Sequence, residues 1–248
     1  MLPYYSRHFD AVELDVTYYR VPSADAMERM AQRTPDQFLF TAKAPAAATH
    51  APADAREPFA EEVRLLREAV KPLIERGRLG CVLLQFPHGF RPGSDAERRL
   101  AALADVYEGI PLVAEFRHRA WQRPKTFELL ERLGIGWCNV DEPDVESLMA
   151  PSAELVGPIA YVRLHGRNRA AWWGPDPAQK FNYLYTPEEL EPWVGRVADL
   201  AAQARDVYVF FNNCYAGKSA RNAHDFTRLM GLERGESEMP ESLSLFDD

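Results

Sequence analysis

The stretch "YVRLHGR", residues 161–167, begins as a buried strand and ends with groups that can bind anions and move protons. Alternation along a strand puts Val162 and Leu164 on one face and Tyr161, Arg163 and His165 on the other. The planar guanidinium of Arg163 can grip a phosphate or carboxylate through two parallel hydrogen bonds. The imidazole of His165 can take or give a proton near neutral pH. Comparable side chains stand at the ends of other short apolar runs: Glu13 and Asp15, Lys43, Gln85, Glu115 and Arg117, Asp141, and Asn212 with Asn213.

Read as chemistry, this set suits an anionic substrate. Lys43, Arg117 and Arg163 would bind the anionic groups, and Gln85 and Asn212 would orient the rest of the molecule. Glu115 and His165 are the first choices for general base or acid, with Glu13 and Asp141 as further carboxylates. His118, in "FRHRAW", would orient Glu115, line the pocket or pack against Trp121. Arg20, after "TYY", is either a second anion contact or an ordinary solvent-facing arginine. Against all this stands a structural reading. A buried charge without a partner is costly, so Glu115 with Arg163, or Glu13 with Lys43, would form ion pairs that only hold the fold. Glu13, Glu115, Asp141 and His165 are also acceptable metal ligands. No HxH, HExxH or clustered Cys/His spacing accompanies them, and nearby cations would compete, so a divalent metal is an alternative the pattern does not favour.

The elements that must position these residues are legible as strands at 11–16, 38–43, 81–86, 112–116, 136–141, 159–165 and 207–211. Helical periodicity fills most of the gaps. In "REPFAEEVRLLREAVKPLIERG", Phe59, Val63, Leu66, Val70 and Ile74 make one apolar stripe. A second helix starts at Thr186, with Pro187 in its first position and Glu189 completing a capping box, and its apolar face is Leu190, Trp193, Val194, Val197 and Leu200. Gly134 stands where a left-handed C-cap is wanted after "FELLERL". Alternating strands and helices predict a parallel sheet, either doubly wound or closed as a (β/α) barrel. No Gly-rich phosphate fingerprint follows an early strand, and the polar residues gather at the C-terminal strand ends, where barrels build their sites. The fold class read from the sequence is therefore α/β and TIM-barrel-like.

The motifs "FDAVELDVTYYRVPS", "TPDQFLFTAKAP", "LLQFPHGF", "AEFRHRAW", "YVRLHGR" and "VYVFFNNCYAGKSARNA" make the chain similar to domain-of-unknown-function family 72, also called the YecE-like family. The resemblance covers most of the chain, in order. It implies a TIM-barrel-like fold and a site, but no reaction. Members of that family normally begin with a further strand and a Gly-rich turn before the "LPYYSRHF" helix. Here Met1 stands after that point, so seven strands are expected, with either a late start or a seam in the barrel.

The remaining features bound the function. A net charge of −8 argues against a generally basic nucleic-acid binder, though not against a basic cleft on an acidic body. Cys81, Cys138 and Cys214 are odd in number and far apart, which suits neither a disulfide framework nor a metal cluster. No apolar run approaches the roughly 20 residues that span a bilayer, and no signal-peptide pattern opens the chain; the expectation is a cytoplasmic protein with no membrane partner. One domain is expected over 1–232. Residues 166–186 form a long segment in which Arg167, Arg169 and Lys180 alternate with Trp172, Trp173, Tyr183 and Tyr185, as in a single-stranded nucleic-acid platform or a hydrophobic lid. The acidic tail at 233–248 has a disordered composition and ends in "SLSLF", similar to a sliding-clamp docking peptide, with Leu243, Leu245 and Phe246 as its apolar contacts. Ser242 replaces the usual glutamine of such peptides.

Three functional expectations follow. The first is an enzyme, hydrolase or phosphodiesterase-like, acting on a phosphate-bearing substrate such as a nucleotide or nucleic acid at the strand-end face. The second is a non-catalytic binder of a ligand or nucleic acid that recruits a partner through its tail. The third is a partial barrel without activity.

Overall fold

The computed structural model of the chain describes residues 1–51 and 61–232. Seven strands run β1 (Ala11–Leu14), β2 (Leu39–Lys43), β3 (Leu79–Gln85), β4 (Leu112–Glu115), β5 (Ile135–Asp141), β6 (Ile159–Leu164) and β7 (Asp206–Phe211). Each strand pairs in parallel with the next in sequence, giving the order β1 to β7 without a reversal. A doubly wound sheet reverses its order at a switch point; this one does not. The fold is α/β and TIM-barrel-like, and the described residues contain seven strands, the number expected.

Two compact units divide the chain within β5, one covering Met1–Trp137 and the other beginning at Cys138. The first half of β5 pairs with β4 through Ile135 to Trp137, and its second half pairs with β6 from Cys138 to Asp141.

The first unit carries α1 (Ala24–Gln32), α2 (Glu61–Ala69), α3 (Ser94–Val106) and α4 (Pro124–Leu133). Ser23 caps α1 by accepting from the Ala26 amide at 3.2 Å. Gly134 ends α4 in the left-handed conformation, with φ of 65°. The loops that follow β3 and β4 are fixed by a run of stacked rings, Phe86 on Phe90, Phe116 on Trp121 and Phe90 on Trp121. Within it the Trp121 indole N–H donates to the Phe90 carbonyl at 2.7 Å. Burying such rings contributes about 1.5–3 kcal/mol each, so the backbone just beyond Gln85 and Glu115 rests on a rigid floor.

Two expectations for this unit need correction. The single helix read over 56–77 is two: α2 stops at Ala69 and a short helix restarts over Lys71–Glu75, with Pro72 at its start. The phase slips at the break, so Leu73 is buried and Ile74 is 40% exposed; Phe59 lies outside the described residues. The first strand ends at Leu14 rather than at residue 16. Asp15 begins a helical turn over Val16–Tyr19, because the Thr17 hydroxyl is drawn to two carbonyls, Leu14 and Lys43, at 2.6 Å each.

The second unit carries α5 (Pro187–Ala201) and α6 (Lys218–Leu229). The Thr186/Glu189 capping box is present as read from the sequence, with the Thr186 amide donating to Glu189 at 3.0 Å. Ala160, Val162 and Leu164 of β6 pack into a buried cluster with Leu190, Trp193, Val197, Leu200 and Phe226. That packing fixes the faces of β6: Val162 and Leu164 look at the helices, and Tyr161, Arg163 and His165 look the other way. Tyr161 accordingly meets Tyr208 and Phe210, at ring separations of 5.9 and 5.3 Å. Among the described residues, no helix is long and apolar enough to cross a membrane.

Candidate functional site

The first unit carries the candidate residues Glu13, Asp15, Arg20, Lys43, Gln85, Glu115, Arg117 and His118. Register sets Glu13 beside Thr41 and Thr41 beside Cys81, on one face. The Cys81 thiol is pushed well up, by burial first and then by the Glu13 charge. Gln85 stands beside Glu115 in the same way. Lys43 closes β2, with its Nζ 3.4 Å from Asp15 Oδ1 and 4.7 Å from the centre of the Tyr18 ring. Tyr18 in turn meets the His50 ring edge-on at 5.3 Å. Glu115 is fully buried, and its Oε1 lies 2.6 Å from Arg117 Nε.

His50 links these groups electrostatically. Its imidazole is held below the ordinary value, first by partial burial and then by the charges of Lys43 and Arg117. Both cations therefore project their field onto one ring. His50 ends the short helix over Ala46–Thr49, and Thr49 Oγ1 lies 2.9 Å from its Nδ1.

His118 takes a capping position. Its Nδ1 accepts from the Ala120 amide at 3.0 Å, starting the turn Arg119–Trp121, while Nε2 meets Arg91 and the ring edge meets His88. Partial burial, Arg91 and His88, in that order, lower its affinity for a second proton. Trp121 stacks instead on Phe116 and Phe90. Arg20 is exposed at the end of the Val16–Tyr19 turn.

In the second unit Arg163 and His165 are fully buried on the face away from the helices. His165 is held by its amide, which donates to the Asp141 carbonyl at 2.9 Å. Asn212 follows β7, tied to β6 by its amide on the Leu164 carbonyl at 2.7 Å. Its side-chain Nδ2 lies 3.0 Å from His165 Nδ1. These two residues come together as one local group.

Asp141 does not join them. The sequence reading set its side chain on the same face as Arg163 and His165, but register pairs Asp141 with Leu164, and Val140 with Arg163. The carboxylate therefore looks toward the helices, where it accepts four hydrogen bonds. Arg167 supplies two, at 2.8 and 2.6 Å; the Tyr185 hydroxyl and the Trp193 indole supply one each, both at 2.7 Å. Arg167 is pushed up by its hydrogen bonds to Asp141, and the Tyr185 phenol by burial and then by the Asp141 charge. With its lone pairs engaged, Asp141 anchors the chain beyond β6.

That anchoring explains residues 166–186. Gly166 turns at φ +91°, and a Cβ there would come within 2.7 Å of the Tyr183 Cβ. Its amide donates to the Tyr185 hydroxyl at 2.8 Å. Tyr183 donates to Glu189, and its phenol is pushed up to about 12 by burial and that carboxylate. Asn213 Nδ2 reaches the Tyr183 carbonyl and Asn222 Oδ1, and Asn222 holds both backbone groups of Tyr185. The segment packs on its own unit, with Trp172 and Tyr185 buried and Trp173 61% exposed.

Sequence reasoning missed His50, Tyr18 and the Arg167–Asp141–Tyr185–Trp193 group. His50 sits in "AAATH" with no periodic signal around it. The Asp141 group joins residues up to 52 positions apart, whose meeting depends on where α5 docks. Among the described residues, no group of three or more His, Cys, Asp or Glu side chains is placed to hold a metal ion. The clamp-docking reading of Leu243, Leu245 and Phe246 lies outside the described residues.

The family model described as "Protein of unknown function DUF72" matches residues 1–243. The chain belongs to the DUF72 family. It is similar to the UPF0759 protein YunF of Bacillus subtilis (strain 168), 30% identical over 258 residues, with 98% of this chain and 90% of that protein covered. Among solved structures, a DUF72 family protein from Thermotoga maritima MSB8 matches with a TM-score of 0.82 and 36% identity, over 90% of this chain and 85% of that one. A DUF72 family protein from Enterococcus faecalis V583 matches with a TM-score of 0.86 over 96% and 92% of the two chains, at 23% identity, and so speaks to the fold alone. The TIM-barrel-like class and the family resemblance drawn from the motifs both stand.

Proposed function

We propose that this DUF72 protein is an enzyme acting on a phosphate-bearing substrate, with Lys43 and Arg117 gripping the anionic group. The observation that carries this reading is the shared field of Lys43 and Arg117 on His50, at the C-terminal strand ends where α/β barrels build their sites. Both cations keep only 12–13% of their side-chain surface in solvent, which strengthens their pull on an anion. His50 in its neutral form has a hydrogen bond to offer, and it gains a proton readily once an anion arrives. Glu115, on Arg117, is the proton-transfer group in this reading, and a positioned general base accounts for about 10²–10⁴ in rate.

A non-catalytic binder is the second reading. It draws support from Asp141, a strand-end carboxylate wholly engaged in holding its own chain. The two readings part in a turnover screen of phosphomonoesters, phosphodiesters, nucleotides and short oligonucleotides, with and without added divalent cations. Turnover by the parent, reduced a hundredfold or more in Glu115→Gln with binding retained, is the expected result. Saturable binding without turnover across the panel would overturn the enzyme reading in favour of the binder.

A further inference from the structure

We infer that Arg91 and His118 form a clamp for the carboxylate of a small organic acid, whose body lies in the cavity that Arg91 lines. This binding site is separate from the one formed by Lys43 and Arg117, and it does not depend on the enzyme reading.

The protons of His118 decide what the clamp can hold. The Ala120 amide, which only donates, lies 3.0 Å from His118 Nδ1. An imidazole nitrogen that accepts a hydrogen bond carries no proton, so the neutral ring keeps its proton on Nε2. Turning the ring over would put a carbon against the Ala120 amide, and a proton on Nδ1 would set two donors against each other. Yet Nε2 is in close contact with Nη1 of Arg91, a guanidinium that has no acceptor. Two donors from different loops therefore converge on one point, and a negatively charged oxygen placed between them satisfies both.

The ring stack holds both donors in place. His118 opens the turn Arg119–Trp121, and Trp121 stacks on Phe116 and Phe90 at ring separations of 4.3 and 5.4 Å. The Trp121 indole also donates to the Phe90 carbonyl, so the backbone that carries Arg91 rests on the same stack as the turn that carries His118. His88 stands beside His118 with ring centres 4.9 Å apart. Partial burial, Arg91 and His88, in that order, work against a second proton on the His118 ring. The clamp thus offers one full positive charge and one neutral N–H. That suits a singly charged carboxylate, which the planar guanidinium also matches in shape, better than a doubly charged phosphate.

Beside the clamp lies a cavity of about 480 Å³, lined by Arg91 together with Thr49, Pro87, Phe90, Ser94 and Asp95 among others. Small-molecule pockets run from roughly 300 to 1,000 Å³, so a small acid fits. Pro87 and Phe90 give the cavity an apolar side for its body. Asp95 pairs with Arg98 of its own helix, α3, and its charge further disfavours a second negative charge on the ligand. The two anion sites are electrostatically distinct: Lys43 and Arg117 act on His50, whereas Arg91 and His88 act on His118.

The test is long-range proton–nitrogen correlation NMR on the full chain labelled with ¹⁵N-histidine, at mildly alkaline pH, with His118→Gln identifying the His118 signals. Acetate, benzoate and inorganic phosphate are the probes. The expected spectrum shows Nδ1 at the unprotonated position and Nε2 at the protonated one, and benzoate moves the Nε2 signal in a saturable way. Benzoate binds about threefold or more tighter than acetate, because its ring enters the cavity. Arg91→Gln weakens the benzoate response about tenfold or more, the worth of one charged hydrogen bond, and Lys43→Gln leaves it unchanged. A protonated Nδ1 in the parent, an Nε2 signal that benzoate does not move, or a response retained in Arg91→Gln would overturn the clamp. Equal affinities for acetate and benzoate would remove the cavity from it, and tighter binding of phosphate than of benzoate would overturn the carboxylate assignment. A response lost in Lys43→Gln would overturn the separation of the two sites. None of these readouts uses turnover, so a failed substrate screen removes the enzyme reading and leaves the clamp standing.

Discussion

Arg167 grips Asp141 with two parallel hydrogen bonds, Nε to Oδ1 at 2.8 Å and Nη2 to Oδ2 at 2.6 Å. The pair closes the second unit's long segment onto the end of β5. The Tyr185 hydroxyl and the Trp193 indole complete the acceptor's shell. Truncating such an acceptor strands several buried donors at once. Asp141→Ala should therefore lower unfolding free energy by about 3–5 kcal/mol, measured by urea unfolding against the parent. Asp141→Asn, which keeps the shape but loses the charge, should cost less. A loss below about 1 kcal/mol in Asp141→Ala would mean that the anchor is not needed.

The residue types of the candidate site were legible in the sequence because strand ends are punctuated: an apolar run stops and a polar residue follows. Lys43, Glu115, Arg163 and His165 could be found that way. The face of Asp141 could not, because β5 is buried on both sides, as "GWCNVD" shows. Such a strand lacks the polar–apolar alternation that would say which way its last residue points. Capping chemistry was equally readable: Thr186, Glu189 and Gly134 work through neighbours three or four residues away. The break at Pro72 was readable in principle, since a proline inside a helical run lacks the amide donor and clashes with the preceding turn, but the apolar stripe on either side hid it. His50 and Tyr18 meet Lys43 through tertiary folding, for which no local pattern exists.

Gly166 tests how tightly that segment is seated. A methyl group there meets the Tyr183 side chain at 2.7 Å, and φ of +91° already disfavours any L side chain. Gly166→Ala should cost about 1–3 kcal/mol, seen as a lowered urea midpoint with an unchanged slope. An unaltered midpoint would show that the turn has room to relax.

The lowered affinity of His50 for a proton carries a pH dependence. A histidine depressed in the folded state binds more protons when unfolded, so the stability it contributes is present above its ordinary value of about 6.5 and is lost as pH falls through the folded value. His118 adds to this in the same direction. Urea unfolding between pH 7.5 and pH 5 should show stability declining toward the acid side, with a shallower slope in His50→Gln. Equal slopes for parent and variant would remove His50 from the account.

Anion binding should act on the same ring with the opposite sign. A phosphate held by Lys43 and Arg117 offsets their field, so the His50 titration midpoint, followed by NMR, should move up in saturating inorganic phosphate. No movement would place the anion elsewhere.

The most direct test of the phosphate-gripping reading is calorimetric titration of the full chain with inorganic phosphate, pyrophosphate and a short single-stranded oligonucleotide at two salt concentrations. Lys43→Gln is the decisive variant, and Arg205→Ala, an exposed arginine paired with Asp206, is the control. The account predicts salt-sensitive binding of at least one of these probes, weakened about tenfold or more in Lys43→Gln, the equivalent of roughly 1.4 kcal/mol, and unchanged in Arg205→Ala. Binding that Lys43→Gln leaves intact, or no binding at the lower salt concentration, would contradict it.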